Sequence, residues 1–321
     1  MKLYLIILVY LFTSSLIAAE VDSFTVRYLP IENSVKIINQ KTNELLKAAL
    51  DELNQKNHGC SEKKLYKRLR KDFNNQYRGT FSKWVVTTDE FDKKLVGIRD
   101  SIYSEWTWKE AIVLGGWSRI IDPSAATLNI NGHYIGTDKF EHFLGSGFLY
   151  FKEYYLKGNK VIEAMKIGLK AETGYMGAVT TGVQSFGDLT ANFNGMRFWN
   201  HMLQKREDIL GKEYNIGPYV SCVDNKWVQV KEIDWSNYID AAFDETVNCS
   251  KFKTASMVDK VLTKLKALED IDGKNYFCPM FTDAQEELRT KYGRFAPQLL
   301  NFEGFEKANK DWQSFFDLIL H

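Results

Sequence analysis

Six hydrophilic residues in the middle of this chain, Asp138, Lys139, His142, Glu172, Asp188 and Asn192, fall on helical faces whose spacing calls for burial. An imidazole and two carboxylates are the parts of an acid–base centre, so His142, Glu172 and Asp188 are the candidates for catalysis. Asp138, Lys139 and Asn192 are the candidates for holding a ligand. The clearest case is Glu172. Val161, Ala164, Met165, Gly168 and Leu169 stand at i, i+3, i+4, i+7 and i+8, one buried helical stripe, and Glu172 continues it. Glu163, Lys166 and Lys170 already give this helix a solvated face. A carboxyl on the inner face must find partners or take up a proton. Asp188 and Asn192 open a second stripe with Gly195, Trp199 and Met202, so these two point together. Asp138 and His142 are i, i+4 neighbours, and Lys139 is three residues from His142, so all three can converge at a helix start.

Three helices must carry these groups. A hairpin with an Asn131-Gly132 turn leads into Asp138. Asp138 and Glu141 form a capping-box pattern for a helix reaching about Leu156, where Gly158-Asn159 ends it. Val161 to Thr173 is the second helix, followed by a glycine- and threonine-rich connection to Gly182. Ser185 with Asp188 is another capping box and opens a helix to about Gln204. Gly145, Ser146, Gly147 and Gly168 let these helices approach closely.

Ahead of this unit, Asn33 to Lys56 and Ser61 to Phe73 read as helices and Gly79 to Thr88 as β-like. The run Ile102 to Ile121 is aromatic, and its Trp106, Trp108 and Trp117 read as core rather than as sugar platforms. Past the Gly217-Pro218 break come a β-like Lys226 to Lys231 and helical patterns around Trp235 to Asp244, Ser256 to Leu268 and Asp283 to Tyr292, with no catalytic constellation. The expected fold is mainly α with minor β, a central three-helix unit preceded by a β-hairpin. The expected organisation is a leader at 1–19, a main domain at 20–213 with its motif core at 138–199, and a C-terminal helical region at 214–321.

The pattern Asp138-Lys139-x-x-His142-Phe143, then Glu172, then Ser185-x-x-Asp188-Leu189, Asn192 and Gly195 resembles the YfiM-like periplasmic proteins and, more distantly, the VanZ-like envelope proteins. The resemblance covers residues 138–199. It implies a place in the bacterial cell envelope and contact with lipid or cell-wall material, and it implies no particular reaction. The chain departs from both families: it has no lipid-attachment cysteine at the expected cleavage region and lacks the several spans of a VanZ-like protein.

Composition narrows the remaining classes. The 321 residues are 45% hydrophobic and 26% charged, an ordinary folding chain. Lys2, an apolar run from Leu3 to Phe12 and the small residues Ala18-Ala19 read as a secretory signal cleaved before Glu20. No later stretch offers the roughly 18 apolar residues of a membrane helix. The net charge is +1, and loss of Lys2 brings the mature chain to zero, which argues against nucleic acid as a partner. Cys60, Cys222, Cys249 and Cys278 suit one or two disulfides in an exported protein. Three full pairings are open, and Cys222 with Cys249 is preferred because both flank Trp227 to Phe243. His58, His133, His201 and His321 have no partner pattern and read as surface or structural.

These readings lead to an exported periplasmic or secreted protein whose helix-borne polar site binds an envelope lipid headgroup or a cell-wall glycan, with Lys139 and the helix start at Asp138 meeting an anionic group. One alternative is a lysozyme-like glycoside hydrolase acting on peptidoglycan, with Glu172 as general acid. Another is a purely structural cluster that fixes helix register. Asp138, His142, Glu172 and Asp188 are admissible metal ligands, but the adjacent Lys139 charge would repel an ion, so no metal or cofactor is expected.

Overall fold

Asn131 and Gly132 take φ angles of 51° and 90°, the two left-handed residues that a tight hairpin needs. The strands they join, β3 (Ser124–Ile130) and β4 (His133–Gly136), pair antiparallel from Ile130–His133 to Thr127–Gly136. This computed structural model describes residues 20–56, 59–116, 122–174, 177 and 180–307. The expected leader, His58, Trp117 and His321 lie outside them. Strand β1 (Glu20–Val21) pairs parallel with β3, and β2 (Lys94–Leu95) pairs antiparallel with it. The architecture is mainly α with minor β, as the sequence leads one to expect.

Helices α1 (Val35–Gln55) and α2 (Glu62–Asp72) match their expected spans. The segment read as β-like is instead helix α3 (Thr80–Thr87). Its buried residues, Phe81, Ser82 and Val85, share one helical face, and Phe81 stacks on Trp235 with ring centroids 5.5 Å apart. Tertiary packing thus decides a segment of β-branched and aromatic residues that local propensity assigns the other way.

The site rests on three helices. Helix α4 covers 138–156 and alternates α-helical turns with two π-helical turns, His142–Ser146 and Lys152–Leu156. Helix α5 is Val161–Thr173, with Ala164, Met165, Gly168, Leu169 and Glu172 buried as the stripe requires. Helix α6 is Phe186–His201, and all of its residues are buried. Helices α4 and α6 cross at Gly147 and Gly195, where a Cβ on Gly147 would stand 2.6 Å from the Gly195 Cα.

Strand β5 (Val183–Gln184) leads into α6, and downstream β6 (Val220–Val223) and β7 (Lys226–Gln229) form a hairpin. The expected helix around Trp235 to Asp244 is two 3-10 turns, Trp235–Asn237 and Ala241–Phe243. Helices α7 (Ala255–Asp272) and α8 (Gln285–Tyr292) follow. One hydrophobic core runs from Ile38 to Leu300 and joins Trp235, Tyr238 and Phe243 to Phe140, Phe143 and Phe198 of the helical unit.

The disulfides are Cys60–Cys222 and Cys249–Cys278. The preferred Cys222–Cys249 pairing is therefore wrong. The Asn54 side chain bonds both the N–H and the carbonyl of Trp227, which ties the β6–β7 hairpin to the end of α1 and sets Cys222 beside Cys60. Cys249 lies within a different segment that packs against Cys278. Two disulfides fit an oxidising compartment, and no helix among the described residues is long and apolar enough to cross a membrane.

Candidate functional site

Lys139 is the centre of the cluster. Its side chain is 1% exposed, and its Nζ lies 2.7 Å from Asp138 Oδ2, 2.7 Å from Asp188 Oδ1 and 2.6 Å from Glu245 Oε1. The ammonium donates hydrogen bonds to Asp138 and Glu245 and pairs by charge with Asp188, so three carboxylates enclose it. Gly187 makes room for this, since a Cβ there would press on Lys139 Cε and Glu245 Cγ. The lysine expected to greet an anionic headgroup is therefore enclosed by carboxylates and turned away from solvent.

On the other side of Asp188 stands His142. Its Nε2 is 3.2 Å from Asp188 Oδ2, and its Nδ1 is 4.0 Å from Glu172 Oε1 with no hydrogen-bond partner. The His142 side chain is 20% exposed, whereas those of Glu172 and Asp188 are about as buried as their neighbours, so the imidazole forms the rim. His142 also opens a π-helical turn, an irregularity that recurs at functional sites because it re-aims a side chain without ending the helix. The three ligand-capable atoms of His142, Glu172 and Asp188 all lie within 4.8 Å of one another.

Two capping boxes are expected from the sequence, and only half of one forms, since the Ser185 backbone N–H bonds Glu172 rather than Asp188. Ser185 Oγ accepts from the Asp188 backbone N–H at 3.0 Å and donates to Glu245 Oε1 at 2.7 Å, which leaves the Asp188 carboxylate free to face Lys139 and His142. Asp138 is not a cap. Thr137 precedes the helix without a side-chain cap bond, and Asp138 turns inward to Lys139. Asn192, one turn past Asp188, is buried with its amide at the Tyr150 hydroxyl, and its Oδ1 has no partner. It stands behind the cluster rather than in it.

Sequence reasoning missed two members. Glu245 comes from the segment after the second 3-10 turn, where no helical period exists to mark it as buried. Glu20, the first residue of β1, is buried, interacts electrostatically with Glu245, Asp188, Lys139 and Glu172, and keeps Oε2 without a partner. The signal available was the run Asp244-Glu245-Thr246 between apolar Phe243 and Val247.

Burial governs the electrostatics. It pushes the Glu172 carboxyl up to about 8, helped by the charge of Asp188 and opposed by His142 and Lys139. Burial likewise raises Glu20, Asp138, Glu141 and Glu245 above the usual carboxyl range. Burial pulls the other way on Lys139 and His142, but the surrounding carboxylates outweigh it and hold both above their ordinary values.

No protein-family model matches the chain, and neither a curated protein nor a solved structure matches it. What the YfiM-like and VanZ-like patterns contribute is therefore the motif alone.

Proposed function

We propose that this is an exported cell-envelope protein whose corner of His142, Glu172 and Asp188 binds a cell-wall glycan rather than an anionic lipid headgroup. One observation carries this choice between ligands: Lys139 is enclosed by Asp138, Asp188 and Glu245 at 2.6–2.7 Å. The corner is left with two carboxyls and one imidazole, which exchange hydrogen bonds with hydroxyl and amide groups, while the acid excess around them disfavours phosphate. The two disulfides support an oxidising compartment such as the periplasm or the exterior, and the motif resemblance supports the envelope.

The test is co-sedimentation of the purified chain with peptidoglycan sacculi, beside flotation with vesicles rich in anionic phospholipid. Retention by sacculi that His142→Ala abolishes is the expected result. Partition to the vesicles, with none to sacculi, would overturn the reading.

A second reading, a retaining glycoside hydrolase, is favoured by the carboxyl spacing. Glu172 and Asp188 bring ligand atoms within 4.8 Å of each other, short of the wider gap of roughly 6.5–9.5 Å that an inverting enzyme needs for water. The same incubation reads it. Soluble fragments released by the wild type above the level of Glu172→Gln establish hydrolysis, and equal release dismisses it.

A further inference from the structure

Two groups of side chains in this cluster are arranged as cation nests, and they share Asp188. One is Asp138, Asp188 and Glu245; the other is His142, Glu172 and Asp188. The first nest already holds a cation, the Lys139 ammonium, at 2.6–2.7 Å from each carboxylate. In the second, Glu172 has no lysine or arginine partner among the described residues, and its nearest basic atom is His142 Nδ1 at 4.0 Å. Counting side chains, Glu20, Asp138, Glu172, Asp188 and Glu245 bring five carboxyls together against one lysine and one imidazole.

We propose that His142, Glu172 and Asp188 hold one divalent transition-metal ion of the zinc or manganese class. The donor set is one imidazole nitrogen and two carboxylate oxygens, which suits these ions better than calcium or magnesium, whose sites are built from oxygen alone. Four-coordinate zinc with bonds of ~2.1 Å sets its ligand atoms roughly 3.4 Å apart. His142 Nε2 and Asp188 Oδ2 already stand 3.2 Å apart, one edge of such a polyhedron. Glu172 supplies the third corner by a torsion of its long side chain.

Independent observations point to a ligand here. His142 Nδ1 and Glu20 Oε2 are buried atoms without hydrogen-bond partners, and Glu20 interacts electrostatically with both Glu172 and Asp188. An orphaned acceptor of this kind is rare in a folded interior and calls for a physical cause. The His142 side chain is 20% exposed, which brings the site to within reach of solvent.

The sequence-level objection was repulsion by Lys139. In the fold that charge is matched by Asp138 and Glu245, so Asp188 faces His142 with its second oxygen still available. The inference goes beyond the glycan reading and does not rest on it.

The experiment uses the full purified chain, stripped by a chelator and dialysed, with the metals alone as probes. Titration calorimetry with Zn2+ and Mn2+ and the visible absorption of added Co2+ report binding, with Mg2+ and Ca2+ as contrasts. One equivalent of Zn2+ or Mn2+ is expected, with Co2+ bands of a nitrogen–oxygen site and a raised melting temperature. His142→Ala and Glu172→Gln should weaken binding by roughly 10–100-fold or more, while His133→Ala leaves it unchanged. Circular dichroism shows whether each variant folds, and His142→Gln at the partly exposed rim provides a second variant should Glu172→Gln unfold. Absence of saturable binding by the wild type, or binding that survives both ligand substitutions, overturns the proposal. Glycan retention measured with chelator present separates a failure here from a failure of the glycan reading.

Discussion

Replacing Lys139 with methionine keeps the length of the side chain and removes the only ammonium of the cluster, so it isolates the charge. The lysine is 1% exposed and contacts three carboxylates at 2.6–2.7 Å, so its loss leaves Asp138 and Glu245 buried without a counter-charge and Asp188 with His142 alone. Removing one partner of a buried ion pair costs about 3–5 kcal/mol. A second route gives a similar figure. The orphaned cluster can relax by binding a proton, and protonating one carboxyl of ordinary pKa at pH 7 costs about 4 kcal/mol. Against a total stability of about 5–15 kcal/mol for a typical domain, Lys139→Met should lower the urea midpoint substantially, with the disulfides intact and metal removed. Adding Glu245→Gln removes one of the stranded charges. The double variant should therefore be more stable than the sum of the single losses, by a coupling of about 1–3 kcal/mol. Lys157→Met, at the exposed pair with Glu153, should change little. A loss below about 1 kcal/mol for Lys139→Met, or no coupling to Glu245, would refute the account of the cluster as a charge-matched nest.

Three further outcomes follow from the fold. The Cys60–Cys222 bond closes a loop of 162 residues and Cys249–Cys278 one of 29, so paired serine replacements should cost about 5 and about 4 kcal/mol on the chain-entropy model; urea melts that rank them in reverse would contradict it. Gly195→Ala drives a Cβ onto the Phe143 carbonyl, and the two crossing helices must separate. A loss of roughly 1–3 kcal/mol is expected, and an unaltered melting temperature would show that the crossing is looser than described. Burial holds the His201 imidazole below the usual histidine range, so the unfolded chain binds more protons than the folded one as pH falls through that range. Its contribution is complete above the unfolded histidine pKa and fades as pH falls below it. Stability should drop between pH 7 and pH 5 in the wild type and drop less in His201→Gln, and equal slopes would speak against it.

The three site helices were legible because their periodicity survives in the fold. The stripe of α5 predicted the burial of Glu172 residue by residue, and the Asn-Gly pair predicted the hairpin that delivers Asp138. Helix α6 shows the limit of such reading. Only one face of it reads as apolar, yet Thr190, Asn194, Arg197, Asn200 and His201 are buried as well, because side-chain hydrogen bonds replace the missing hydrophobicity. The capping-box pattern at Asp138 misled because a carboxylate can cap a helix or pair with a lysine, and the buried Lys139 beside it is the stronger partner. Glu245 and the disulfide pairing were illegible for a common reason. Both depend on which distant segments pack together, and irregular backbone carries no period from which to infer it.

Helix α6 also carries the sharpest argument that the cluster is functional, since it holds two buried ionic networks of opposite character. Toward its C-terminal end, Arg197 Nε lies 3.1 and 3.0 Å from the two oxygens of Asp208, and Arg197 also donates to Asn194 Oδ1 at 2.6 Å. His201 sits 2.8 Å from Asp208 and 2.9 Å from the Tyr238 hydroxyl, which in turn meets Tyr219 at 2.8 Å. One cation faces one anion there, and burial keeps the histidine from taking a charge. Such a network balances its charges and has packing to do. At the N-terminal end, Asp188 belongs to a set with five carboxyls, one lysine and several orphaned atoms, open to solvent at His142. A chain that balances the charge of one buried network on a helix has no folding reason to leave acid in excess in another fewer than ten residues away. Excess buried acid lowers stability, and departures from local consistency of this kind concentrate where a protein binds or reacts.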